Sequence, residues 1–176
     1  GTLEALTRGQ ADLAIGVGPD SARTAGVHSK PLGHITFVYA VAPHHPLANE
    51  PEPLSDEVIQ KHRAVAVADS ISRGTGQTFG LLSGQDVFTV PTMHAKLDAQ
   101  LRGLGGGNLP RCMADSYIDT GRLVVKRTER AQRQVPLHYA WRLSKTTQQG
   151  RALQWWLSQL ESPTTRDALL EEHRNA

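Results

Sequence analysis

The chain has 176 residues, of which 39% are apolar and 20% charged, the composition of a globular protein. Its 19 lysine and arginine residues barely exceed its 17 aspartate and glutamate residues, an excess too small to argue for nucleic-acid binding by this chain. A single cysteine excludes a disulfide framework. The start has no signal-peptide pattern and no apolar run reaches transmembrane length, so we expect a soluble, cytoplasmic protein with no membrane contact.

The first third of the chain predicts a helix end and two strands. An amphipathic helix pattern ends at Gly9. The apolar run over 11–17, closed by glycine and proline, is typical of a buried parallel strand. A polar loop over 20–33 leads to a strand over 35–43 that is rich in β-branched and aromatic residues.

The middle of the chain predicts a capped helix and further short strands. Four prolines between residues 43 and 53 indicate an irregular surface loop. Ser55 followed by two acids is a helix start signal. Strand patterns follow at 64–69 and 87–90.

A second capping residue, Thr92, predicts a helix over 93–102 that ends in a glycine-rich stretch. The apolar residues that recur on one face of this helix are Met93, Leu97, Leu101 and Leu104.

The last third predicts a short helix over 111–119 and strands over 121–125 and 137–142. A long helix follows, and a polar helix starts at Pro163. The apolar stripe of the long helix comprises Leu153, Trp156, Leu157 and Leu160. Strands that alternate with helices predict an α/β fold with a mostly parallel sheet.

Motifs for metal, nucleotide or nucleophile chemistry are incomplete. Eight histidines form no pair with ligand spacing, so we expect no metal and no cofactor. The glycines over 103–107 follow a helix, and Asn108 stands where a dinucleotide fingerprint needs its third glycine, which favours a tight turn. Ser83 lacks a nucleophile elbow, and Cys112 is better interpreted as structural, although a helix N-terminus could lower its pKa. We therefore expect no enzyme.

The basic stretch near the end of the chain is interpreted as a solvated connection, because it has no interleaved aromatic residues. Its members are Arg122, Lys126, Arg127, Arg130 and Arg133.

Polar, glycine-bearing segments at strand ends are the remaining site candidates. Small ligands bind beyond the carboxyl ends of strands in open α/β sheets, and a helix start near Thr92 suits a carboxylate. Simple polar turns explain these segments equally well. The segments are 16–18, 69–73, 91–93 and 107–108.

Five segments in this order resemble the effector-binding domain of LysR-type transcriptional regulators: 6–16, 41–48, 103–110, 121–124 and 140–142. The resemblance implies a two-lobed α/β fold like that of type 2 periplasmic binding proteins, with the N-terminal part of lobe 1 missing. Lobe 1 would hold 1–36 and 143–162, lobe 2 would hold 37–142, and 163–176 would form a C-terminal helix or tail.

The resemblance also implies a role, which is the sensing of a small-molecule effector by a homodimer or homotetramer. The effector, aromatic or anionic, would bind in the cleft between the two lobes. DNA would be bound only through an N-terminal domain that this chain lacks. The alternative is a solute-binding protein of a transport system, against which the missing signal peptide argues. The implied effector contacts are Val17, Gly18, Ser70, Arg73, Thr92, Met93 and Asn108.

Overall fold

The structure, a computed structural model, describes residues 2–68, 80–142 and 150–171. The helices are α1 (Thr2–Thr7), α2 (Asp56–Gln60), α3 (Met93–Leu101), α4 (Arg111–Asp119), α5 (Arg151–Glu161) and α6 (Pro163–Glu171), with 3-10 turns at Pro19–Arg23 and Pro46–Ala48. The strands are β1 (Leu13–Val17), β2 (Val27–Val41), β3 (Ala64–Val67), β4 (Val87–Val90), β5 (Gly107–Pro110), β6 (Val124–Lys126) and β7 (Gln134–Arg142).

The chain divides into two compact units. Of the described residues, unit 1 comprises those up to Ile35 and those from Gln134 onward, and unit 2 comprises Thr36–Arg133. The strand over 134–142 belongs with unit 1. The reason is its pairing, because β7 lies beside β1 with Leu13 opposite Trp141.

Unit 1 buries apolar residues on both faces of its strands. On one face Leu6 of α1 packs with Ala14, Val17 and Ala140. On the other face the core is formed by Leu32, Tyr139, Trp141 and Leu160, the last from α5. The predicted stripe of α5 is correct at Leu160 and wrong at Trp156, which is 42% exposed.

Unit 2 is built around the second part of β2. Residues 37–40 of β2 pair antiparallel with β5, and residues 39–41 pair antiparallel with β6. β3 and β4 pair parallel with each other. One face carries Val38, Ala40, Leu97 and Leu109 under α3, and the other carries Tyr39, Val41, Leu47, Leu54 and Ile59 beside α2.

The two predicted helix caps are confirmed, whereas the predicted loop over 20–33 and the predicted parallel pairing of the first strand are wrong. Ser55 and Thr92 cap α2 and α3, accepting hydrogen bonds from the backbone N–H groups of Val58 and Ala95 at 3.3 and 3.1 Å. The predicted loop over 20–33 is wrong because β2 already begins at Val27. The mostly parallel sheet is wrong for β1, which pairs antiparallel with β7. A short apolar run shows that a strand is buried and does not specify its partner.

The glycine-rich stretch is the predicted turn between helix and strand. Gly103 has a φ of +73°, which only glycine adopts without strain. A Cβ on Gly105 would lie 2.6 Å from the carbonyl oxygen of Arg63, and a Cβ on Gly106 would lie 2.6 Å from the hydroxyl of Tyr39. The close approach of the Arg63 backbone at Gly105 and of the Tyr39 side chain at Gly106 therefore favours glycine at these positions.

No helix within the described ranges is long and apolar enough to span a membrane.

Candidate ligand-binding site

Unit 2 contains a cavity of about 870 Å³ beside residues 37–39 of β2, where this strand enters the unit. Its walls come from β2, the start of α2, residues 80–82, Asn108 of β5, the start of α4 and the segment 125–133. Pockets of about 300–1,000 Å³ hold small molecules in proteins, so the cavity has the size of a ligand site.

Backbone hydrogen bonds hold the segment 127–133 against the rest of unit 2. The N–H of Leu54 donates to the carbonyl of Arg127 at 2.9 Å, and the N–H of Glu129 donates back to the carbonyl of Leu54 at 3.0 Å. At the other end the N–H of Phe37 donates to the carbonyl of Arg133 at 2.9 Å. Because both ends are bonded, the side chains of this segment are anchored along the cavity.

The cavity has an apolar part. Tyr39 is 7% exposed, and its hydroxyl has no hydrogen-bond partner among the described residues. Burial raises the pKa of this hydroxyl, so Tyr39 stays neutral. The apolar lining residues are Phe37, Val38, Tyr39, Ile59, Leu81, Leu82, Val125 and Ala131.

The charged lining is predominantly cationic, with five cationic side chains and two carboxylates. A surplus of one sign of charge over a concave surface attracts ligands of the opposite charge. The charged residues are Arg111, Lys126, Arg127, Arg130, Arg133, Asp56 and Glu129.

Asp56 and Glu52 pair with three of these cations. Arg130 donates from Nε and Nη2 to one oxygen of Asp56, Oδ2, at 3.0 and 2.6 Å. Glu52 accepts from Nε of Arg127 at 2.7 Å and lies 3.5 Å from Nζ of Lys126. The hydrogen bond from Arg127, with the charge of Lys126, lowers the pKa of Glu52, so this carboxylate is ionised at neutral pH.

Arg111 is the first residue of α4 and follows directly after β5. Its Nε lies 3.2 Å from Oδ1 of Asp115, one turn along the helix. The two Nη groups of Arg111 form no hydrogen bond to another described residue. A guanidinium whose Nη groups are not engaged can bind a carboxylate through two parallel hydrogen bonds.

Asn108 is the predicted contact that the structure places in the cavity lining. It lies opposite Tyr39 in the β2–β5 pairing, and a Cβ on Gly80 would come within 2.5 Å of its amide nitrogen. Gly80 has a φ of +80° and lets the chain pass over this amide. Asn108 thus presents an amide from a paired strand.

Thr92 and Met93 lie elsewhere in unit 2. The Thr92 side chain caps α3, and Met93 packs against the core cluster of Leu97 and Leu109. Neither residue belongs to the lining of the cavity. Their proposed contact with an effector stays a prediction.

Val17 and Gly18 lie in unit 1 at the end of β1. Val17 is buried and opposite His138, and Gly18 precedes the 3-10 turn at Pro19–Arg23. Close by, the hydroxyls of Ser21 and Ser29 lie 2.7 Å apart, and that of Ser29 lies 3.1 Å from Nδ1 of His138. The role of Val17 and Gly18 also stays a prediction, and Ser70 and Arg73 lie outside the described residues.

The cationic lining was missed as a site by the sequence interpretation. Its signal was present in the basic stretch, which was interpreted as a solvated connection. In the structure Lys126, Arg127, Arg130 and Arg133 line the cavity, while Arg122 lies over the ring of Tyr117 at 5.0 Å. Charge spacing alone could not separate these roles, because the pairing of β6 with β2 brings the segment onto the cavity.

The other chemical candidates do not assemble a reactive site. Within the described residues, no group of three or more histidine, cysteine, aspartate or glutamate side chains could hold a metal ion. Cys112 is half-buried, and burial raises the pKa of its thiol, which contradicts activation by the helix N-terminus. Ser83 is exposed, and its carbonyl accepts a hydrogen bond from Gln60.

Comparison with known proteins relates this chain to bacterial regulators. It is 35% identical over 160 residues to the HTH-type transcriptional regulator YeeY of Escherichia coli, covering 91% of this chain and 51% of YeeY. The regulatory domain of MetR, a LysR family regulator from N. meningitidis, has a TM-score of 0.70 at 18% identity, covering 98% of this chain and 77% of that one. Full-length LysG from Corynebacterium glutamicum with bound effector Arg has a TM-score of 0.59 at 20% identity, covering 97% and 55%.

These likenesses agree on one fold and one family. The chain spans about half the length of the curated relatives it matches. The two structural neighbours show that the α/β fold is that of LysR regulatory domains. The family model of the LysR substrate binding domain matches residues 1–163, and the chain therefore belongs to this family.

Proposed function

We propose that this chain is the effector-sensing part of a bacterial LysR-type transcription regulator and binds a small molecule in the cavity of unit 2. The single observation that carries the proposal is this cavity of about 870 Å³, lined by apolar residues and by Asn108, in a chain of the LysR substrate-binding family. LysG with its bound Arg effector supports a small-molecule effector, since it shares the fold. The YeeY relative is a regulator, which supports a non-enzymatic role.

Sensing requires that the effector binds one conformation of the protein more tightly than another. In the full-length regulator, that difference in affinity would change how a DNA-binding part engages its operator. We propose a cytoplasmic homodimer or homotetramer for that protein, with DNA bound through a helix-turn-helix part, as the name of the YeeY relative suggests.

Thermal unfolding with a panel of aromatic acids, phenols and amino acids tests the proposal. A compound at a hundred times its Kd should add about 2.7 kcal/mol to the free energy of unfolding and raise Tm. Chemical-shift changes at Phe37 and Asn108 in 1H–15N NMR spectra would locate it in the cavity. A panel that changes neither Tm nor these resonances, or a compound that the protein turns over, would contradict the sensing function.

A further inference from the structure

We infer that the cavity of unit 2 takes a small organic carboxylate, bound through its charge by Arg111 and Arg130 and through its apolar body by the opposite wall. The inference rests on the proposed function and names the chemical class of its effector. It starts from the five cationic and two carboxylate side chains of the lining.

The pairing of these cations decides which of them can bind a ligand. Lys126 is 8% exposed and donates to the backbone carbonyls of Ala48 and Glu50 at 3.1 and 2.8 Å. Arg127 is bonded to Glu52 at 2.7 Å and is 78% exposed. Both are held by the loop that precedes α2, so their charges add to the potential of the cavity without offering a fixed donor pair.

Arg130 retains donors that its carboxylate partner does not use. Its Nε and Nη2 both donate to Oδ2 of Asp56. A guanidinium carries five N–H donors, so the Nη1 group and the second hydrogen of Nη2 stay available to a ligand. Asp56 sets the position of the guanidinium, because it is the first residue of α2 and is held there by the Ser55 cap.

Arg111 supplies the second guanidinium group that can bind a carboxylate. The closest contact of Asp115 is with Nε of Arg111, at 3.2 Å, and the Arg111 side chain is 51% exposed at the cavity. Planar guanidinium groups match the geometry of a carboxylate, whereas an ammonium ion acts as a point charge. Two arginines on one concave surface, each with an Nη group that no described residue engages, therefore favour a planar anion.

The apolar wall determines what the anion is attached to. Phe37, Ile59, Leu81 and Leu82 line the cavity, and Asn108 adds one amide that can orient a polar substituent. An inorganic anion would leave this wall uncovered, whereas an apolar body of one or two rings would remove it from water. The observations together favour an organic acid over phosphate or sulfate.

A matched set of acids and amides tests this class directly. Monocarboxylic acids from acetate to naphthoate are titrated into the whole chain by calorimetry, each beside its own primary amide, which has nearly the same shape without the charge. We expect at least one acid to bind and its amide to bind about tenfold more weakly or worse, the loss typical of a charge-assisted hydrogen bond. Equal affinity for an acid and its amide, or no binding by any acid, would overturn the inference.

Arginine variants locate the charge recognition. Arg111→Gln and Arg130→Gln should each weaken the bound acid about tenfold. Asp56→Asn removes the carboxylate that competes for Arg130, so it should tighten acid binding, a change of sign that a merely structural role would not produce. Parent affinity in all three variants would overturn the assignment of these arginines.

Two exposed arginines outside the cavity serve as matched controls. Arg102 pairs with Asp98 across one helical turn, as Arg111 does with Asp115 in the opposite order along the chain, and Arg63 pairs with Asp86 at 2.7 Å. Arg102→Gln and Arg63→Gln should leave acid affinity unchanged, and if they weaken it like the cavity variants, the local assignment is wrong. If only phenols or amides bind and shift the resonances of Phe37 and Asn108, the carboxylate class fails and the sensing function stands. If no compound of either panel binds, both fail.

Discussion

Two lysines of unit 2 are equally buried and have opposite surroundings. Lys96 on α3 and Lys126 on β6 are each 8% exposed. Nζ of Lys126 donates to two backbone carbonyls, at 2.8 and 3.1 Å, and lies 3.5 Å from a carboxylate oxygen of Glu52. Lys96 has no hydrogen bond or ion pair to any described residue. Its neighbours include Gln100, whose two amide atoms are also unpartnered among the described residues.

The backbone around each lysine explains this difference. Lys126 lies beside the irregular, proline-rich loop over 46–53, whose carbonyls are not used in a sheet and can point at an ammonium group. Lys96 lies against Gly107, which is paired with Ala40 in the β2–β5 ladder. The carbonyl groups of paired strands already accept hydrogen bonds from the neighbouring strand. The surface under α3 therefore has few acceptors left for Lys96. Burial thus stabilises or destabilises a lysine according to the acceptors around it.

The largest expected effect is the loss of the Lys126 ammonium group. Lys126→Met should lower the free energy of unfolding by about 3 kcal/mol, because it removes the charged donor of two half-buried carbonyls and of the Glu52 carboxylate. Urea unfolding followed by circular dichroism measures this change. Lys61→Met, at an exposed lysine that ends α2, is the matched control and should change stability little.

The variant Glu52→Gln separates the contribution of the two carbonyls to the stability of the fold from that of the Glu52 carboxylate. Glu52→Gln keeps both carbonyl contacts of Lys126 and removes the negative charge that lies 3.5 Å from Lys126 and also pairs with the exposed Arg127. It should cost clearly less than Lys126→Met. A cost equal to that of Lys126→Met would mean that Glu52, and not the two carbonyl contacts, stabilises this lysine.

Lys96→Met should change stability in the opposite direction. Burial lowers the pKa of Lys96 from 10.5 to about 8, so below pH 8 the fold must hold a buried, unpaired charge. We expect the variant to be more stable at pH 7 by about 2 kcal/mol, since each unit of pKa shift corresponds to about 1.4 kcal/mol and local relaxation recovers part. A destabilised variant in urea unfolding would contradict the expectation that the buried charge of Lys96 lowers the stability of the fold.

The pH dependence of this difference gives an independent check. The folded pKa of about 8 lies below the unfolded value of 10.5, so the unfolded chain binds more protons between these two pH values. The parent chain should therefore gain stability relative to Lys96→Met as pH rises from 8 to 10.5. Below pH 8 the difference should be constant, and a difference that is also constant above pH 8 would contradict the shifted pKa.

The smallest expected effect concerns His45, in the loop that holds Lys126. Nδ1 of His45 accepts a hydrogen bond from the N–H of Leu47 at 3.2 Å and so caps the turn that carries the Ala48 carbonyl. Burial, then the charges of His62 and His44, lowers the pKa of His45 below 6.5. The unfolded chain therefore takes up this proton first, and the stability contributed by neutral His45 is lost as pH falls below 6.5.

His45→Asn tests this loss because asparagine keeps a capping acceptor and does not titrate. Urea unfolding at pH 7 and at pH 5 should show a larger loss for the parent chain than for the variant. Equal losses would assign the acid sensitivity to His44, His62 or another group.

Local signals in the sequence predicted the elements well. Ser55 and Thr92 act within three residues, and the β-branched run ending at Val41 forms a strand whatever its partner. The sequence could not predict that Trp156 is exposed or that Lys96 and Gln100 are buried. Those outcomes depend on which surfaces meet, and helical spacing places Lys96 and Gln100 one turn apart on the face that α3 turns toward the strands.

The residues of the candidate site also divide into those that local sequence patterns single out and those that only the fold brings together. Asn108 was singled out from a polar, glycine-bearing segment, which is a local pattern, and its contact with an effector stays a prediction. Thr92 was recognised as a helix start. Arg111, Arg130 and Asp56 lie in three separate segments, and their sequence neighbours carry no sign that they line one cavity.

The sequence by itself therefore determined the helices, the strands and their caps, and it carried the family resemblance, because these depend on residues a few positions apart and on ordered motifs. Only the tertiary structure decided the strand partners, the division into two units, the cationic cavity and the opposite surroundings of the two lysines. Each of these depends on contacts between residues distant in the chain, where the free energy of a charge is determined by the acceptors that folding brings to it.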